Sequence, residues 1–323
     1  MQRPQSKLHI VSFVIVFLAV IISAMLVVYR QQVIDTIRAW QFTPSSQVLE
    51  IRNSLALTSL GQLYFDSSQP VVESAEGFNQ SCPQSEPNNP VVGCYSNQLI
   101  YIYDVRNDKL DGIEETTAAH ELLHAAYERM NDTERAEIDA ELKKVYTSVK
   151  TKELEARMAY YQVNEPGEES NELHSILGTE YTQLGTKLEA HYAKYFVDRK
   201  EVLAHYQNYQ AVFTSATSKL DALAASINER TLKVNVNIKK YERDAASLSR
   251  DIRAYNQRSS DSQAEYNTLT SRQEELRERF RTLKSEIAAI DGLRQEYDTL
   301  RKEYEALSRS INSSLEPTPT LKG

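Results

Sequence analysis

The strongest constraint on this chain is where the residues that stop helices are missing. No proline occurs between Pro166 and Pro317, and the only glycines in that stretch are Gly167, Gly178, Gly185 and Gly292. Proline removes a backbone donor and clashes with the preceding turn, and glycine forfeits conformational entropy, so a long stretch nearly free of both reads as helix. The expected class is α+β but mostly α, with strand and turn character confined to residues 47–110. There, Leu99–Val105 is rich in β-branched and aromatic residues and is bounded by Ser96-Asn97 and Arg106-Asn107-Asp108. From Gly112 on, helices are expected at about 113–130, from a capping box at Asn131-Asp-Thr-Glu134, at about 151–161, and from near Ser170.

The last third has its own period. Ile238, Tyr241, Ala245, Leu248, Ile252 and Tyr255 begin a row that alternates steps of three and four and runs to Ile290, then resumes from Leu293 to Ile311. A strict seven-residue repeat implies a left-handed coiled coil, assigned here to residues 213–312. Ser259, Ser262 and Gln273 interrupt the row. Two readings stay open: a single rod, or an antiparallel hairpin bent at Arg258–Ser262. Residues 313–323, with Pro317 and Pro319, are expected to be a disordered tail.

At the other end, no charged residue occurs between Lys7 and Arg30. Twenty-two helical residues span about 33 Å, enough for a hydrocarbon core of about 30 Å and longer than the apolar region of a cleaved signal peptide. Residues 8–29 are therefore expected to form a transmembrane signal-anchor, with 1–7 as a cytoplasmic stub and 30–46 as a linker. The basic residues Arg3 and Lys7 before the span set the N-terminus inside and the bulk of the chain outside the cytoplasm. Cys82 and Cys94 bracket a polar loop, and an isolated pair in an exported segment favours a disulfide. The net charge of −8 argues against a general nucleic-acid partner.

The chemistry is concentrated in His120-Glu-Leu-Leu-His124. Residues four apart share a helix face, so both imidazoles can point at one metal ion, with Glu121 beside them to hold and deprotonate a water. About 0.01 such motifs are expected by chance in a chain of this length and composition. Ala118, Ala119, Leu122, Leu123, Ala125 and Ala126 make the surrounding helix apolar, as a buried site requires. A catalytic zinc takes a third protein ligand and keeps a position open. Glu153, Glu155, Glu172, His174, Glu180 and His191 are all candidates.

HELLH followed by Asn171-Glu172-Leu-His-Ser-Ile-Leu-Gly178-Thr179 resembles the gluzincin metallopeptidases of the thermolysin type. The likeness covers these two short motifs. It implies a zincin-like domain over residues 47–212, with Glu172 as third zinc ligand and Leu99–Val105 as the edge strand that pairs with a peptide substrate. The family's aspartate, four residues past its glutamate, is here Ile176, with Ser175 or Glu180 as replacements. Glu153-Leu-Glu155-Ala weakly resembles the ligand helix of membrane-associated gluzincins, though Arg157 stands where that pattern has Asp. Glu172 ranks first as ligand, Glu180 second, and His174 or Glu153 behind. His191 and Tyr192 open an aromatic stripe that can donate a hydrogen bond to a tetrahedral oxyanion or simply pack between helices.

The expected activity is thus a membrane-anchored zinc metallopeptidase acting on peptides or proteins. The alternative is a non-catalytic coiled-coil interaction protein of the cell envelope, with a structural or vestigial metal site and a coiled-coil partner or self-association.

Overall fold

The computed structural model describes residues 29–82, 91–258 and 262–315, with isolated positions between 13 and 25. The chain divides into two compact units, one made of residues 1–211 and 308–323 and the other of residues 212–307.

In the first unit, α1 (Arg30–Gln41), α2 (Ser46–Ser54) and α3 (Ser59–Ser67) lead into β1 (Val71–Glu73), α4 (Ala75–Ser81), β2 (Gly93–Ser96) and β3 (Leu99–Tyr103). A short 3-10 turn (Asp108–Leu110) precedes α5 (Ile113–Glu128), α6 (Asp132–Val149), α7 (Lys152–Asn164), α8 (Glu169–Glu180) and α9 (Gly185–Tyr192). Local chemistry sets many of these starts. The side chains of Ser45, Thr58, Asn131 and Thr151 accept the backbone N–H groups of Val48, Gly61, Glu134 and Leu154, each satisfying a donor the first turn leaves open. Gly112 precedes α5 at φ +95°, a conformation that a side chain disfavours.

The three strands order β1-β3-β2, with β1 parallel and β2 antiparallel to β3. Asn97 and Gln98, both at positive φ, close the two-residue β2–β3 turn, as the twist of a tight hairpin requires. Ile100 and Ile102 point from β3 into the core. There they meet α5 through Ala118, Ala119, Leu122, Leu123 and Ala126, and the core continues to Leu173 and Leu177 of α8 and Tyr192 of α9. Helix α5 is buried on nearly every side, because a run of Ala and Leu leaves no wet face.

The second unit holds most of α10 (Arg199–Asn256) and α11 (Gln263–Ser310). They run antiparallel: Asp251 pairs with Arg272, Asp244 with Arg279, and the Tyr241 and Phe280 rings meet at a tilt, centroids 5.9 Å apart. Val234, Leu283 and Ile290 are buried together. This is the hairpin. Residues 259–261 lie outside the described residues, and Ser262 caps α11 by accepting the N–H of Glu265, so the polar break in the heptad row marks an approach to the bend.

Several expectations are corrected. Among the described residues the protein is 78% helical with one small sheet, so it is mostly α, as expected, and the α+β label does not hold. Most of the expected span 8–29 lies outside the described residues, and among the described residues no helix is long and apolar enough to cross a membrane. Crossing takes about 20 consecutive apolar residues in one helix. Helix α1 has 12 and carries Arg30, Asp35 and Arg38. The single-pass signal-anchor, with its cytoplasmic N-terminus and extracytoplasmic bulk, is withdrawn. The expected linker 30–46 is mostly helix α1, packed on the first unit through a buried Asp35–Arg129 ion pair. In the expected tail, Ser313 is buried and bonded to Asn79, whereas 316–323 lie outside the described residues.

Candidate metal centre

Helical spacing brings the imidazoles of His120 and His124 to one face of α5, with ring centroids 4.8 Å apart. Helix α8 crosses behind them and presents Glu172 from its first turn. The carboxylate oxygens of Glu172 lie 3.8 Å from His120 Nε2 and 3.5 Å from His124 Nε2. One ligand atom from each of the three residues falls within 4.8 Å of the others, so the group can hold a metal ion.

The donor chemistry fits a metal. His124 Nδ1 lies 3.0 Å from Asn171 Oδ1, and Asn171 Nδ2 donates to Glu168 Oε2 at 2.9 Å. Because the amide nitrogen is spent on Glu168, its oxygen must accept from His124 Nδ1–H. That leaves the His124 Nε2 lone pair facing Glu172. Burial opposes ionisation of Glu172, but the imidazoles of His124 and His120 and the Tyr161 hydroxyl outweigh it and hold the carboxyl down at about 2. The third donor is therefore a carboxylate. Burial would likewise lower the His124 imidazole, and the Glu172 and Glu121 carboxylates reverse that, leaving it raised.

Glu121 sits on α5 between the two histidines in sequence, buried against β2. Burial pushes its carboxyl up; His124, His120 and the backbone N–H of Tyr95 pull the other way. The close approach of β2 depends on Gly93, where a Cβ would lie 2.9 Å from Glu121 Oε1 and closer still to Thr117 Cγ2. Among the described residues, β2 is an edge strand, because it pairs only with β3.

The other candidates go elsewhere. Glu180 is engaged by Arg157 Nη1 at 2.8 and 2.9 Å, which removes it as a ligand. His174 is fully buried on the opposite side of α8, with its Nε2 2.9 Å from His191 Nε2. Tyr192 donates to the His174 carbonyl at 2.8 Å. His191 and Tyr192 are thus packing groups between α8 and α9 rather than oxyanion donors. Glu153 is exposed in the first turn of α7. At the position of the missing aspartate, Ile176 is fully buried beside Leu154 and Tyr161. Neither proposed replacement fills that role, since buried Ser175 Oγ makes no hydrogen bond and Glu180 is taken. Leu99–Val105 is not an edge strand: β3 is the centre of the sheet. Cys82 and Cys94 are disulfide-bonded, tying the end of α4 to β2.

Sequence reasoning missed Gly93, Tyr95, Tyr161 and the Asn171–Glu168 relay. Gly93 carried a signal, since glycine inside a strand often marks a close approach of backbone to another group. Comparison with protein-family models, with curated proteins and with solved structures finds no match to this chain.

Proposed function

We propose that the chain is a zinc-dependent metallopeptidase. One observation carries the reading: two histidines four apart and a carboxylate from a second helix converge on one point, with the buried Glu121 carboxylate between that point and a free strand edge. Two imidazoles and one carboxylate form a donor set suited to catalytic zinc. When bound, zinc supplies Lewis-acid polarisation of a carbonyl and acidifies a water. His120, His124 and Glu172 would hold it, and Asn171 and Glu168 fix the tautomer of His124. Glu121, with its affinity for a proton raised by burial, takes a proton from the water that attacks the carbonyl carbon and returns it to the amine nitrogen as the C–N bond breaks. A peptide in extended form pairs with the outer edge of β2, where Tyr95 N–H already orients Glu121.

The test is metal content and cleavage of a quenched-fluorescent peptide library by the full chain. His120→Ala and His124→Ala are expected to lose the metal. Glu121→Gln should keep it and lose turnover by about 10²–10⁴-fold, because a base is removed while the ligands stay. Glu172→Gln should weaken metal binding where Glu180→Gln does not. Wild-type cleavage by Glu121→Gln would overturn the reading and leave the metal a structural role.

A further inference from the structure

Helix α1 is amphipathic in the inverted sense. Its only acid, Asp35, is 1% exposed and is bonded by the Arg129 guanidinium at 2.8 and 3.0 Å, while Arg38 reaches Gln98 on the β2–β3 turn. Asp35 and Arg38 face the protein, whereas Arg30, at the start of the helix, is exposed. Outward stand Tyr29, Val33, Ile37 and Trp40, and Trp40 is 83% exposed. Steps of four, four and three residues put these side chains in one row along the helix. A helix docked on a core ordinarily turns such a row inward, so a row turned outward marks a contact surface. Among the described residues before it, Phe13, Ile15, Val16, Phe17, Leu18 and Met25 are also exposed, and the sequence has no Asp, Glu, Lys or Arg from Leu8 to Tyr29.

We propose that the outer row of α1 rests on a lipid surface, with the helix in the plane of the headgroup region rather than crossing it. Tyr29 and Trp40, at the two ends of the row, are the aromatic types that favour such a boundary, with an apolar ring and one polar hydrogen. The residues beside the row are Arg30, Gln32, Thr36 and Gln41, none of which an anionic headgroup repels. A second copy of the chain is the weaker occupant. A stable protein interface buries about 800 Å² per partner, from roughly 20–30 residues a side, and one row of four side chains falls well short of that.

Trp40 is the only tryptophan in the chain, so its fluorescence reports on this row alone. Full-length protein is mixed with unilamellar vesicles of phosphatidylcholine and phosphatidylglycerol. The expected result is a blue-shifted emission that becomes inaccessible to iodide and is quenched by lipids brominated near the glycerol end of the acyl chain. The paired substitution Val33→Ser and Ile37→Ser, with circular dichroism unchanged, should weaken this partitioning about tenfold or more. Emission that stays unshifted and iodide-accessible overturns the proposal, even if other residues carry the protein onto the vesicles. So does a blue shift that appears without lipid and grows with protein concentration, which would assign the row to a second copy.

Discussion

Four histidines of this chain form two close pairs with opposite fates. His120 and His124 keep carboxylates beside them, and the raised His124 imidazole reflects that company. His174 and His191 face each other and aromatic rings, and burial presses both down: His191 to about 4, with help from Lys194, and His174 well below its ordinary value, with help from the neighbouring imidazoles. The unfolded imidazole titrates near 6.5. Between pH 6.5 and 4 the unfolded chain therefore binds a proton that folded His191 refuses, and stability falls as pH drops through that window. Going from pH 7 to 5 should cost about 2 kcal/mol from His191, at 1.36 kcal/mol per unit, and His174 acts in the same direction. Urea unfolding in chelator at both pH values checks this. His191→Gln should show a smaller loss between them than the wild type, and an equal loss would remove His191 as the cause.

At the scale of elements, α5 was legible and the sheet was only half so. The spacing of His120 and His124 and the run of Ala and Leu mark a buried helix carrying a metal-binding face, because helical periodicity is local. Leu99–Val105 also reads as a strand, and Leu99–Tyr103 is one. What the pattern does not contain is its neighbours. β1 has three residues and β2 four, too few to show alternation, and their pairing moves β3 from the edge to the centre. Gly93 then becomes the residue that lets β2 lie against Glu121. Gly93→Ala is expected to push β2 off the helix and lower peptide turnover about tenfold or more with metal content unchanged, since 1 Å misplacements can cost about 10²-fold. Gly178→Ala serves as the contrast: its Cβ would lie 2.7 Å from Tyr192 Cε1, so it should cost about 1–3 kcal/mol of stability by overpacking. Parallel loss of turnover and stability in both variants would deny β2 a special place.

For the molecule as a whole, the heptad row foretold a coiled coil, and the contacts decided its form. A continuous rod would separate positions 249 and 270 by about 32 Å, at 1.5 Å per residue. In the antiparallel hairpin they are neighbours across the seam, near the Asp251–Arg272 pair. Spin labels on Ser249 and Thr270, both exposed, should give a distance within about 15–20 Å, given helix axes 8–10 Å apart plus the label arms. A measured value near 32 Å would rule out the hairpin. The row is also less completely buried than a regular seam would be: Leu248, Leu269, Leu283 and Ile290 are buried, but Phe280 and Ile287 are exposed.

The sequence by itself determined what depends on neighbours along the chain. It set the helical content, through the missing prolines and glycines, the shared face of His120 and His124, the cap at Asn131 and the polar break near Ser262. These follow from backbone geometry repeating every few residues, which no distant contact needs to supply. Only the tertiary structure decided which acid joins the histidines. Helical periodicity alone leaves Glu172, Glu180, His174 and Glu153 all available, and only the motif resemblance ranked Glu172 first. Helix α8 settles the choice by burying Leu173, Ile176 and Leu177, which turns Glu172 toward α5, leaves His174 to the far side and gives Glu180 to Arg157. Packing of that kind sums many apolar contacts between segments about 50 residues apart, and no local periodicity encodes it.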